Sequence, residues 1–462
     1  MPLKSWLQSH YPVMGSIEIT KSSPLRGTPP LQGDALLACH ALFLSAMARG
    51  RSRLENIPES RLVEDLMELF NRLGYRFVRE NGLVSLDGKG QRPGELDEPV
   101  FPGHEMVLMA LGGLFAGSKS PNLVGIDSKA IPKTSTDVFL KLFDCALEKN
   151  RGNEEKGPVY RVLAIRQSCV TDPKEEYLAR TARLFYHLSC GTGARIKCGN
   201  SGPDHLEKLL ALVGPGVELH KSVQKEMSDL EKRMARKLKQ TERTEQHLIL
   251  PDSMSLKDLS LSLPNDISLA SIYVLAATLV PDSEIILENV LLNPSRTGFI
   301  SALRRMGAVL ELSHKRELCG ETLGTVKVNY SELKGRKFDF EALKNMREEI
   351  PLLIIAGAYA AGETVIRDIA FLRYYEQDLL KRIILSLKEA KVEIGEIEDG
   401  LVIRGKSEYD GHTFSSFGNA ILGFAFFIMG LRSYGTSAVA EAECMEELFP
   451  GTIENLRKLA VP

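Results

Sequence analysis

The sequence predicts an α/β protein made of six β-α-β-α-β-β units, arranged as two globular domains of three units each. Its length of 462 residues and its apolar content of 44% allow two domains with sizeable cores. A pattern of small-residue helix, glycine turn and strand recurs along the chain. Successive copies begin roughly 70–90 residues apart, which is too long for a solenoid repeat and suits this unit.

The clearest copy of the pattern is LLIIAGAYAAGETVIRDI (352–369). The other five are ALFLSAMARGRSRLENI (41–57), LMALGGLFAGSKSPNLVGI (108–126), ARLFYHLSCGTGARIKC (182–198), SIYVLAATLVPDSEIILENV (271–290) and ILGFAFFIMGLRSYGTSAVAEA (421–442). In most copies a second helix follows the strand and ends near a glycine, as in SRTGFISALRRMGAVLEL (295–312). Because alanine and glycine crowd the first helix of each unit, we expect these helices to pack closely inside a shell of sheets.

Residues 220–247 break this rhythm. Their apolar residues recur at helical spacing among charged ones, at Val223, Met227, Leu230, Met234 and Leu238. The pattern predicts a charged helical insertion. Two interpretations stay open: a surface helix lying on the third unit, or a segment that binds a protein partner or forms a short coiled coil.

Composition limits the partners of the chain. The net charge of −2 favours neither nucleic acid nor an anionic membrane surface, so we expect neither partner. The first residues, MPLKSWLQSH, do not have the pattern of a signal peptide, and the apolar stretch 421–431 is too short to span a bilayer. Seven scattered cysteines without zinc-site spacing are typical of reduced thiols. We therefore expect a cytoplasmic protein.

Catalytic motifs with a recognisable spacing are absent from the sequence. It has no GxGxxG after a strand, no P-loop, no GxSxG and no HExxH, and its nine histidines are dispersed, so we expect neither a cofactor nor a metal. The pairs Glu348–Glu349 and Glu446–Glu447 could serve acid–base chemistry, or could simply be solvated carboxylates at helix ends.

Polar residues stand at three predicted helix starts. SLPNDISLAS (262–271) places Asp266 and Ser268 where helix capping alone would explain them. In LNPSRTG (292–298), Arg296 is the only candidate anion ligand. GDALLACHA (33–41) lies at a predicted loop-to-helix junction, where α/β enzymes often gather cations, yet it contains no lysine or arginine.

Long stretches resemble 5-enolpyruvylshikimate-3-phosphate (EPSP) synthase, an enolpyruvyl transferase. The resemblance is strong in 263–383, which includes EEIPLLIIAGAYAAGETVIRDIAFLRYYEQDLLKRI (348–383), and in AECMEELFPGTIENLRKL (442–459). It is weaker at PLRGTPPLQGDALLACHALFLSAMARGRSRLENI (24–57), which is similar to the PGDKSISHR segment of that family.

The resemblance implies the inside-out two-domain α/β barrel of the enolpyruvyl transferases, with a ligand cleft between the domains. In that fold the first residues join the C-terminal half. We therefore expect one discontinuous domain, 1–24 plus 250–462, and a second domain, 25–249, that carries the charged insertion. We also expect a small-molecule ligand in the cleft, and a protein partner through residues 220–247 remains open.

The resemblance further implies a cleft that holds two anions, phosphoenolpyruvate and shikimate 3-phosphate, by lysine and arginine side chains. Those cations are missing here. The residues that stand in their places are Ala35, His40, Met109, Tyr375, Leu379, Asn419 and Glu447. The SSQ segment of the family is replaced by Glu175, Glu176 and Tyr177.

A few family-like residues remain. Ser201 matches a Ser-x-Pro segment, Glu349 or Glu348 lies near the catalytic aspartate of the family, and Glu376 survives from RVKESDR. The candidate catalytic residues are therefore Glu349 and Glu376. The candidate substrate-binding residues are Ser201, His40 and Tyr375.

The missing cations lead to three hypotheses, which we rank by the affinity for anions that remains. Each charge-assisted hydrogen bond contributes roughly 1.5–3 kcal/mol, so seven losses remove most of the affinity for two anions. The leading hypothesis is a pseudoenzyme that acts as a binding or regulatory protein. The first alternative is a cleft rebuilt for a less anionic small molecule, with the polar candidates Glu349, Glu376, His40, Tyr374 and Tyr375. The second is a divergent, active EPSP synthase.

Overall fold

The computed structural model describes most of the chain between residues 15 and 460. The described ranges are 15–80, 82–90, 94, 96, 98–118, 122–128, 130–153, 157–164, 177–198, 202–223, 244–374 and 378–460.

The helices follow the predicted order. The α-helices of the described residues are α1 (Ala35–Met47), α2 (Arg61–Arg72), α3 (Glu105–Ala116), α4 (Lys133–Leu142), α5 (Tyr177–Cys190), α6 (His205–Val213), α7 (Ile267–Leu279), α8 (Gly298–Met306), α9 (Phe340–Leu343), α10 (Ile350–Tyr359), α11 (Leu379–Glu389), α12 (Ala420–Arg432), α13 (Glu443–Leu448) and α14 (Thr452–Leu459). Two short 3₁₀ turns, Asp144–Ala146 and Ala370–Tyr374, lie between them.

The strands alternate with these helices. They are β1 (Ser16–Thr20), β2 (Arg26–Gly27), β3 (Arg49–Glu55), β4 (Phe77–Glu80), β5 (Leu83–Lys89), β6 (Asn122–Gly125), β7 (Leu147–Asn153), β8 (Gly157–Val162), β9 (Ala194–Cys198), β10 (Glu218–Val223), β11 (Thr244–Leu250), β12 (Ser260–Ser262), β13 (Glu284–Leu291), β14 (Val309–Leu318), β15 (Glu321–Asn329), β16 (Lys337–Phe338), β17 (Glu363–Ile366), β18 (Glu393–Ile397), β19 (Gly400–Arg404), β20 (Thr413–Ser415) and β21 (Thr436–Ala440).

The described strands form six small sheets, one for each predicted unit. Their orders are β12-β3-β5-β4, β6-β8-β7, β10-β11-β9, β14-β15-β13-β2, β16-β17-β19-β18 and β1-β21-β20. Four of the sheets combine one parallel pair (β3 with β12, β13 with β2, β17 with β16, β21 with β20) with antiparallel pairs. A parallel pair needs a crossover connection, and a helix supplies it in a β-α-β unit. The predicted repeat of helix and strand is confirmed.

Buried apolar residues form two hydrophobic clusters, which we call the N-terminal core and the C-terminal core. The N-terminal core gathers α1, α3 and α5, and the C-terminal core gathers α7, α10 and α12. Every residue of α1 and of α7 is buried. Helices that are apolar on all sides need close neighbours, and a Cβ added to Gly113 of α3 would lie 2.1 Å from the Ala182 carbonyl oxygen of α5. The predicted close packing of small-residue helices is confirmed.

The chain crosses between the two cores near residues 32–35 and 263–267. Ile17, Ile19 and Leu25 belong to the C-terminal core, whereas Leu259 and Leu263 still belong to the N-terminal core. The proposed domain boundaries at residues 24 and 249 stay a prediction. Because the leucines of 250–263 pack in the N-terminal core, we would place the second boundary after them.

The prediction of a helix over 220–247 is wrong at both ends of that range. Strand β10 runs through Val223 and strand β11 begins at Thr244, and these two residues face each other in an antiparallel pair. Strand β11 also pairs with β9. Backbone pairing of β10 with β11 therefore overrides the helical spacing at Val223, the residue of that apolar series that the structure describes. Residues 224–243 lie outside the described residues.

The thiols and the hydropathy of the helices were also predicted from the sequence. Cys39, Cys190, Cys198, Cys319 and Cys444 are free thiols. Within the described ranges, no helix has both the length and the hydropathy needed to cross a membrane.

Candidate functional site

An aspartate caps the first helix after each of the two crossings. Asp34 caps α1 by accepting a hydrogen bond from the Leu37 amide at 2.8 Å. Asp266 caps α7 by accepting from the amides of Ser268 at 2.7 Å and Leu269 at 3.0 Å. These bonds satisfy amides that the first helical turn leaves unpaired. Capping was the expected role of Asp266.

The two crossing segments are hydrogen-bonded to each other. The Asp34 amide donates to the Pro264 carbonyl at 3.0 Å, and the Asp266 amide donates to the Gln32 carbonyl at 2.9 Å. The Ala35 amide also donates to Asp266 Oδ2 at 3.2 Å. The starts of α1 and α7 therefore lie side by side, although the two helices belong to different cores.

Arg296 lies at the meeting point of these helix starts. Its buried guanidinium places Nη1 3.6 Å from Asp34 Oδ2, and Nη2 donates to Ser268 Oγ at 3.0 Å. The same Nη2 lies 3.8 Å from Glu348 Oε2. Burial lowers the pKa of Arg296, but the surrounding carboxylates, Asp34 first, raise it above its ordinary value. Arg296 therefore stays charged, with carboxylates of the chain as its partners.

Glu349, a candidate catalytic residue, belongs to this arrangement. It is buried at the N-cap of α10 and accepts a hydrogen bond from the Ser268 hydroxyl. Burial and, second, the neighbouring Glu348 raise the pKa of Glu349 to about 7, although Arg296 opposes the shift. Burial also raises the pKa of Asp266 to about 7, with Asp34 as the second cause. Two carboxyl groups of the site therefore exchange protons near neutral pH.

His40, a candidate substrate-binding residue, is buried in α1. Neither ring nitrogen has a hydrogen-bond partner of good geometry, although the Leu36 carbonyl one turn earlier slightly favours protonation. The His40 ring centroid lies 6.4 Å from that of His205. Burial lowers the pKa of His40 well below its ordinary value, and His205 adds to the effect. His40 is therefore a neutral imidazole beside the Arg296 site.

A second polar group lies around Glu321, a fully buried residue of β15. Glu321 Oε1 lies 2.7 Å from His205 Nδ1, and Oε2 accepts from Lys208 Nζ at 3.0 Å and Asn293 Nδ2 at 2.9 Å. Burial lowers the pKa of His205, but Glu321 raises it to a net value above the ordinary one. The group ties α6 of the N-terminal core to the C-terminal core. It touches the Arg296 site through His205 Nε2, 3.4 Å from Arg296 Nη1.

Asp204, His205 and Glu321 also have the residue types of a metal site. One potential ligand atom from each lies within 4.8 Å of the others. However, the Lys208 ammonium is 3.1 Å from Asp204 Oδ1 and 3.0 Å from Glu321 Oε2. An ammonium already supplies the positive charge that these carboxylates need, so the geometry fits a salt bridge better than a metal centre.

A third buried ion pair joins Arg180 of α5 to Glu207 of α6. Arg180 Nη2 also donates to the Pro203 carbonyl at 3.2 Å. Nearby, the Tyr177 hydroxyl is buried without a hydrogen-bond partner. Burial raises the pKa of Tyr177 well above its ordinary value, and Glu207 adds to the shift. Tyr177 therefore presents a neutral hydroxyl.

The cations of these three groups share one property. Arg296, Lys208 and Arg180 are each paired with a carboxylate of the chain itself. Each of these three described cations therefore already has an internal carboxylate partner.

The structure does not describe every predicted site residue. Ser201, Tyr375 and Glu376 lie outside the described residues, so their candidate roles stay predictions. Tyr374, a candidate of the rebuilt-cleft hypothesis, is exposed at the end of a 3₁₀ turn.

A comparison with known proteins gives the family. A family model described as EPSP synthase (3-phosphoshikimate 1-carboxyvinyltransferase) matches residues 218–456, more than half of the chain. The chain belongs to the EPSP synthase family. The predicted resemblance is confirmed.

Individual relatives agree with this membership of the EPSP synthase family. A protein of Salinibacter ruber named 3-phosphoshikimate 1-carboxyvinyltransferase is 27% identical over 96% of this chain and 99% of its own length. One of the same name from Desulforudis audaxviator is 28% identical with the same coverage. The solved EPSP synthase of Acinetobacter baumannii superposes with a TM-score of 0.76 at 21% identity, covering 96% of this chain and 98% of that one. The predicted enolpyruvyl transferase fold is confirmed.

In this EPSP synthase family member, the positions where cations were expected have other structural roles. Met109 is buried in α3 and Leu379 is buried at the start of α11. Asn419 caps α12 by accepting from the Leu422 amide at 2.9 Å. Glu447 of α13 forms an ion pair with Arg61 of α2. Apolar packing, capping and a reversed charge now occupy these positions.

Sequence reasoning missed the convergence of these groups. It named Arg296 only as an isolated anion ligand and passed over Lys208 and Glu321. One available signal is the shared pattern Leu-x-x-Asp-x-x-Leu-Ala, which occurs at 31–38 and again at 263–270. These are the two crossing segments, and equivalent segments of a repeated fold are expected to lie together.

Proposed function

We propose that this EPSP synthase family protein has lost the enolpyruvyl transfer reaction and acts as a binding or regulatory protein in the cytoplasm. One observation supports the proposal above the others. Arg296, Lys208 and Arg180, the cations of the described site, each contact a carboxylate of the chain. A transferase that joins two anionic substrates needs cations that are free to hold them.

Energetics add to this argument. To bind a substrate anion, Arg296 would have to leave Asp34, and Lys208 would have to leave Glu321. Breaking a buried ion pair costs about 3–5 kcal/mol, which exceeds the roughly 1.5–3 kcal/mol of a new charge-assisted hydrogen bond. Glu447 adds a negative charge where a cation was expected. Substrate anions therefore gain no net attraction from the described site.

Complementation tests the proposal. The full chain is expressed in a bacterial strain that lacks EPSP synthase, on medium without aromatic amino acids. We expect no growth, while the Salinibacter ruber relative in the same vector serves as the positive control. An immunoblot confirms that both proteins accumulate. Growth supported by the chain would show an active, divergent EPSP synthase of the shikimate pathway and would refute the proposal.

A second candidate function is a cleft rebuilt for a less anionic small molecule. Glu349 and Asp266, both with a pKa of about 7, favour it because such groups can donate and accept protons at neutral pH. The neutral His40 offers a further polar contact.

A protein partner at the charged stretch within 220–247 remains part of the proposal. A pull-down that compares the full chain with a variant lacking residues 224–243 tests it, and we expect the partner to be lost with the deletion.

A further inference from the structure

The β14–β15 hairpin reaches from one hydrophobic core to the other. Its strands pair in antiparallel register, and the pair nearest the tip is Leu318 with Glu321. Near the base, Val326 and Val328 belong to the C-terminal core. At the tip, Cys319 belongs to the N-terminal core, and Leu318 packs against that core. One hairpin therefore links the two cores, in addition to the two crossings of the main chain.

The turn at the tip of the hairpin buries a side chain in the other core. Cys319 and Gly320 connect the two strands, with φ angles of 49° and 78°. Left-handed backbone at two successive residues is typical of a tight hairpin turn, but it is unfavourable for a residue that has a side chain. Cys319 is nevertheless only 8% exposed. Packing of its side chain against the N-terminal core offsets this local strain.

Helix α6 of the N-terminal core lies against this tip. A Cβ added to Gly320 would be 3.5 Å from Lys208 Cβ, which is an ordinary van der Waals distance. Glu321 follows the turn and is fully buried. Its carboxylate lies 2.7 Å from His205 Nδ1 and 3.0 Å from Lys208 Nζ, and both partners belong to α6. The hairpin therefore contacts α6 through its turn and through a buried carboxylate.

A second polar contact crosses between the halves beside the tip. Asn293 follows β13, and its Nδ2 donates to Glu321 Oε2 at 2.9 Å and to Asp204 Oδ1 at 2.6 Å. Asp204 precedes α6, and it also accepts from Ser295 Oγ at 3.3 Å and lies 3.1 Å from Lys208 Nζ. Donors and acceptors of the two halves therefore satisfy one another, so no ligand is needed to pair them.

We propose that residues 318–321 form an intramolecular clasp, which fastens the C-terminal half to α6 and detaches as a unit while both cores stay folded. We call these residues the hairpin clasp. The inference goes beyond the proposed function and does not depend on it, because a pseudoenzyme and an active enzyme could both carry such a clasp. Detachment breaks the contacts of one turn and one carboxylate, whereas unfolding breaks the packing of many buried helices. Opening of the hairpin clasp therefore needs less free energy than unfolding of either core.

The Cys319 thiol provides a probe of the hairpin clasp. Burial and, second, the charge of Glu321 raise the pKa of this thiol to about 12. Alkylating agents react with the thiolate, so the docked thiol is unreactive, and detachment exposes it. Cys39 of α1 is the reference in the same protein, because it is fully buried in the N-terminal core and becomes accessible when that core unfolds.

Alkylation of the native full chain by iodoacetamide, in urea concentrations below the unfolding transition, tests the proposal. Peptide mass spectrometry gives the rates of Cys319 and Cys39 separately, and slow labelling reports the population of each open form. We expect Cys319 to react at least about tenfold faster than Cys39, with a shallower dependence on urea, because detachment exposes less surface than unfolding. Equal rates with equal urea dependence would show that the clasp opens only by unfolding. Reaction of Cys319 in water as fast as in the unfolded chain would show that the clasp is not closed. Either result would overturn the proposal.

Three variants show which contacts control the opening. Lys208→Met removes the ammonium of the hairpin clasp and should speed the reaction of Cys319 at least about tenfold. Lys344→Met removes a surface ion pair and should leave the Cys319 rate unchanged. Ile354→Val leaves a small cavity in the C-terminal core and should also leave that rate unchanged, because detachment keeps this core folded.

Two outcomes with these variants would overturn the proposal. One is an unchanged Cys319 rate in Lys208→Met. The other is a Cys319 rate that rises in Ile354→Val, because the thiol would then become accessible by unfolding of the C-terminal core. If Lys208→Met does not fold, the urea dependence in the unsubstituted protein and the Ile354→Val rate decide the question.

Discussion

Glu447 and Arg61 form an ion pair that joins helix α13 to helix α2. The two helices border different hydrophobic cores. The resemblance to EPSP synthase predicts a lysine where Glu447 stands. Half of the Arg61 side chain is exposed, so the pair adds little stability. The sign of the charge matters more than the stability. Glu447 is negative where a cation was expected, and it binds Arg61 of the chain instead of an anion.

Restoring two of the lost cations should not restore enolpyruvyl transfer. In the double variant Ala35→Lys and His40→Arg, both new cations stand on the helix that Asp34 caps, and the Ala35 amide already lies 3.2 Å from Asp266 Oδ2, so these carboxylates would pair with them. We expect turnover at the background level in a phosphate-release assay. Recovered turnover in this variant would mean that the loss is local to α1, and the distributed loss described above would be wrong.

The pH dependence of stability should change in Glu349→Gln. The pKa of Glu349 is raised to about 7 in the folded state, from an ordinary value near 4.5. The folded protein therefore binds more protons than the unfolded one between these values. Stability from this group is present below pH 4.5 and is lost as pH rises through about 7, at a cost on the order of 1–4 kcal/mol.

Glutamine mimics the protonated acid at every pH. The thermal midpoint of Glu349→Gln should therefore rise relative to that of the unsubstituted protein as pH increases from 5 to 8. Glu341→Gln, at an exposed site, provides the matched control and should show no such relative change. A constant difference between Glu349→Gln and the parent protein across this range would contradict the raised pKa.

Lys208→Met should destabilise the protein strongly. The change removes the ammonium that lies 3.0 Å from the buried Glu321 carboxylate, which keeps His205 and Asn293 as partners. Because of these partners and the 21% exposure of Lys208, we expect a cost of about 2–4 kcal/mol, below the roughly 3–5 kcal/mol of a fully buried pair. Lys344→Met, which removes an ion pair to the exposed Glu341, should cost at most about 1 kcal/mol. Thermal unfolding of both variants gives the comparison. Equal small effects would show that Glu321 finds other compensation.

Gly33→Ala should disrupt the crossing between the two cores. A Cβ at this position would lie 1.8 Å from the Asn56 carbonyl oxygen, so a backbone segment must move, at a cost on the order of 2–3 kcal/mol. Gly395→Ala in β18 is the matched control, because its added Cβ would meet no atom within 4 Å. A thermal midpoint of Gly33→Ala within one degree of the control would contradict the tight crossing.

The sequence predicted the repeating architecture well because that architecture follows from local chemistry. Alanine and glycine in α3 and α5 permit the close contact between Gly113 and Ala182. A glycine also lies between helix and strand after α3, α5, α10 and α12, whereas the turn after α7 has no glycine. The charged stretch at 220–247 misled the prediction. Val223 is the first residue of its helical series, but it lies in strand β10, which pairs with strand β11.

The site was harder to predict. Glu321 and His205 are 116 positions apart and come together only when the cores pack. The sequence predicts which family cations are missing, because that prediction needs only a residue type at a matched position. It could not show that Arg296, Lys208 and Arg180 are taken by internal carboxylates, because ion pairing depends on tertiary distances.

Phosphate release by the purified chain reports on enolpyruvyl transfer itself. The full chain is incubated with phosphoenolpyruvate and shikimate 3-phosphate, and released phosphate is followed over time beside the Salinibacter ruber relative. We expect no release above the rate without protein, while the relative turns over. Phosphate release that depends on both substrates and on this chain would refute the proposed loss of the reaction.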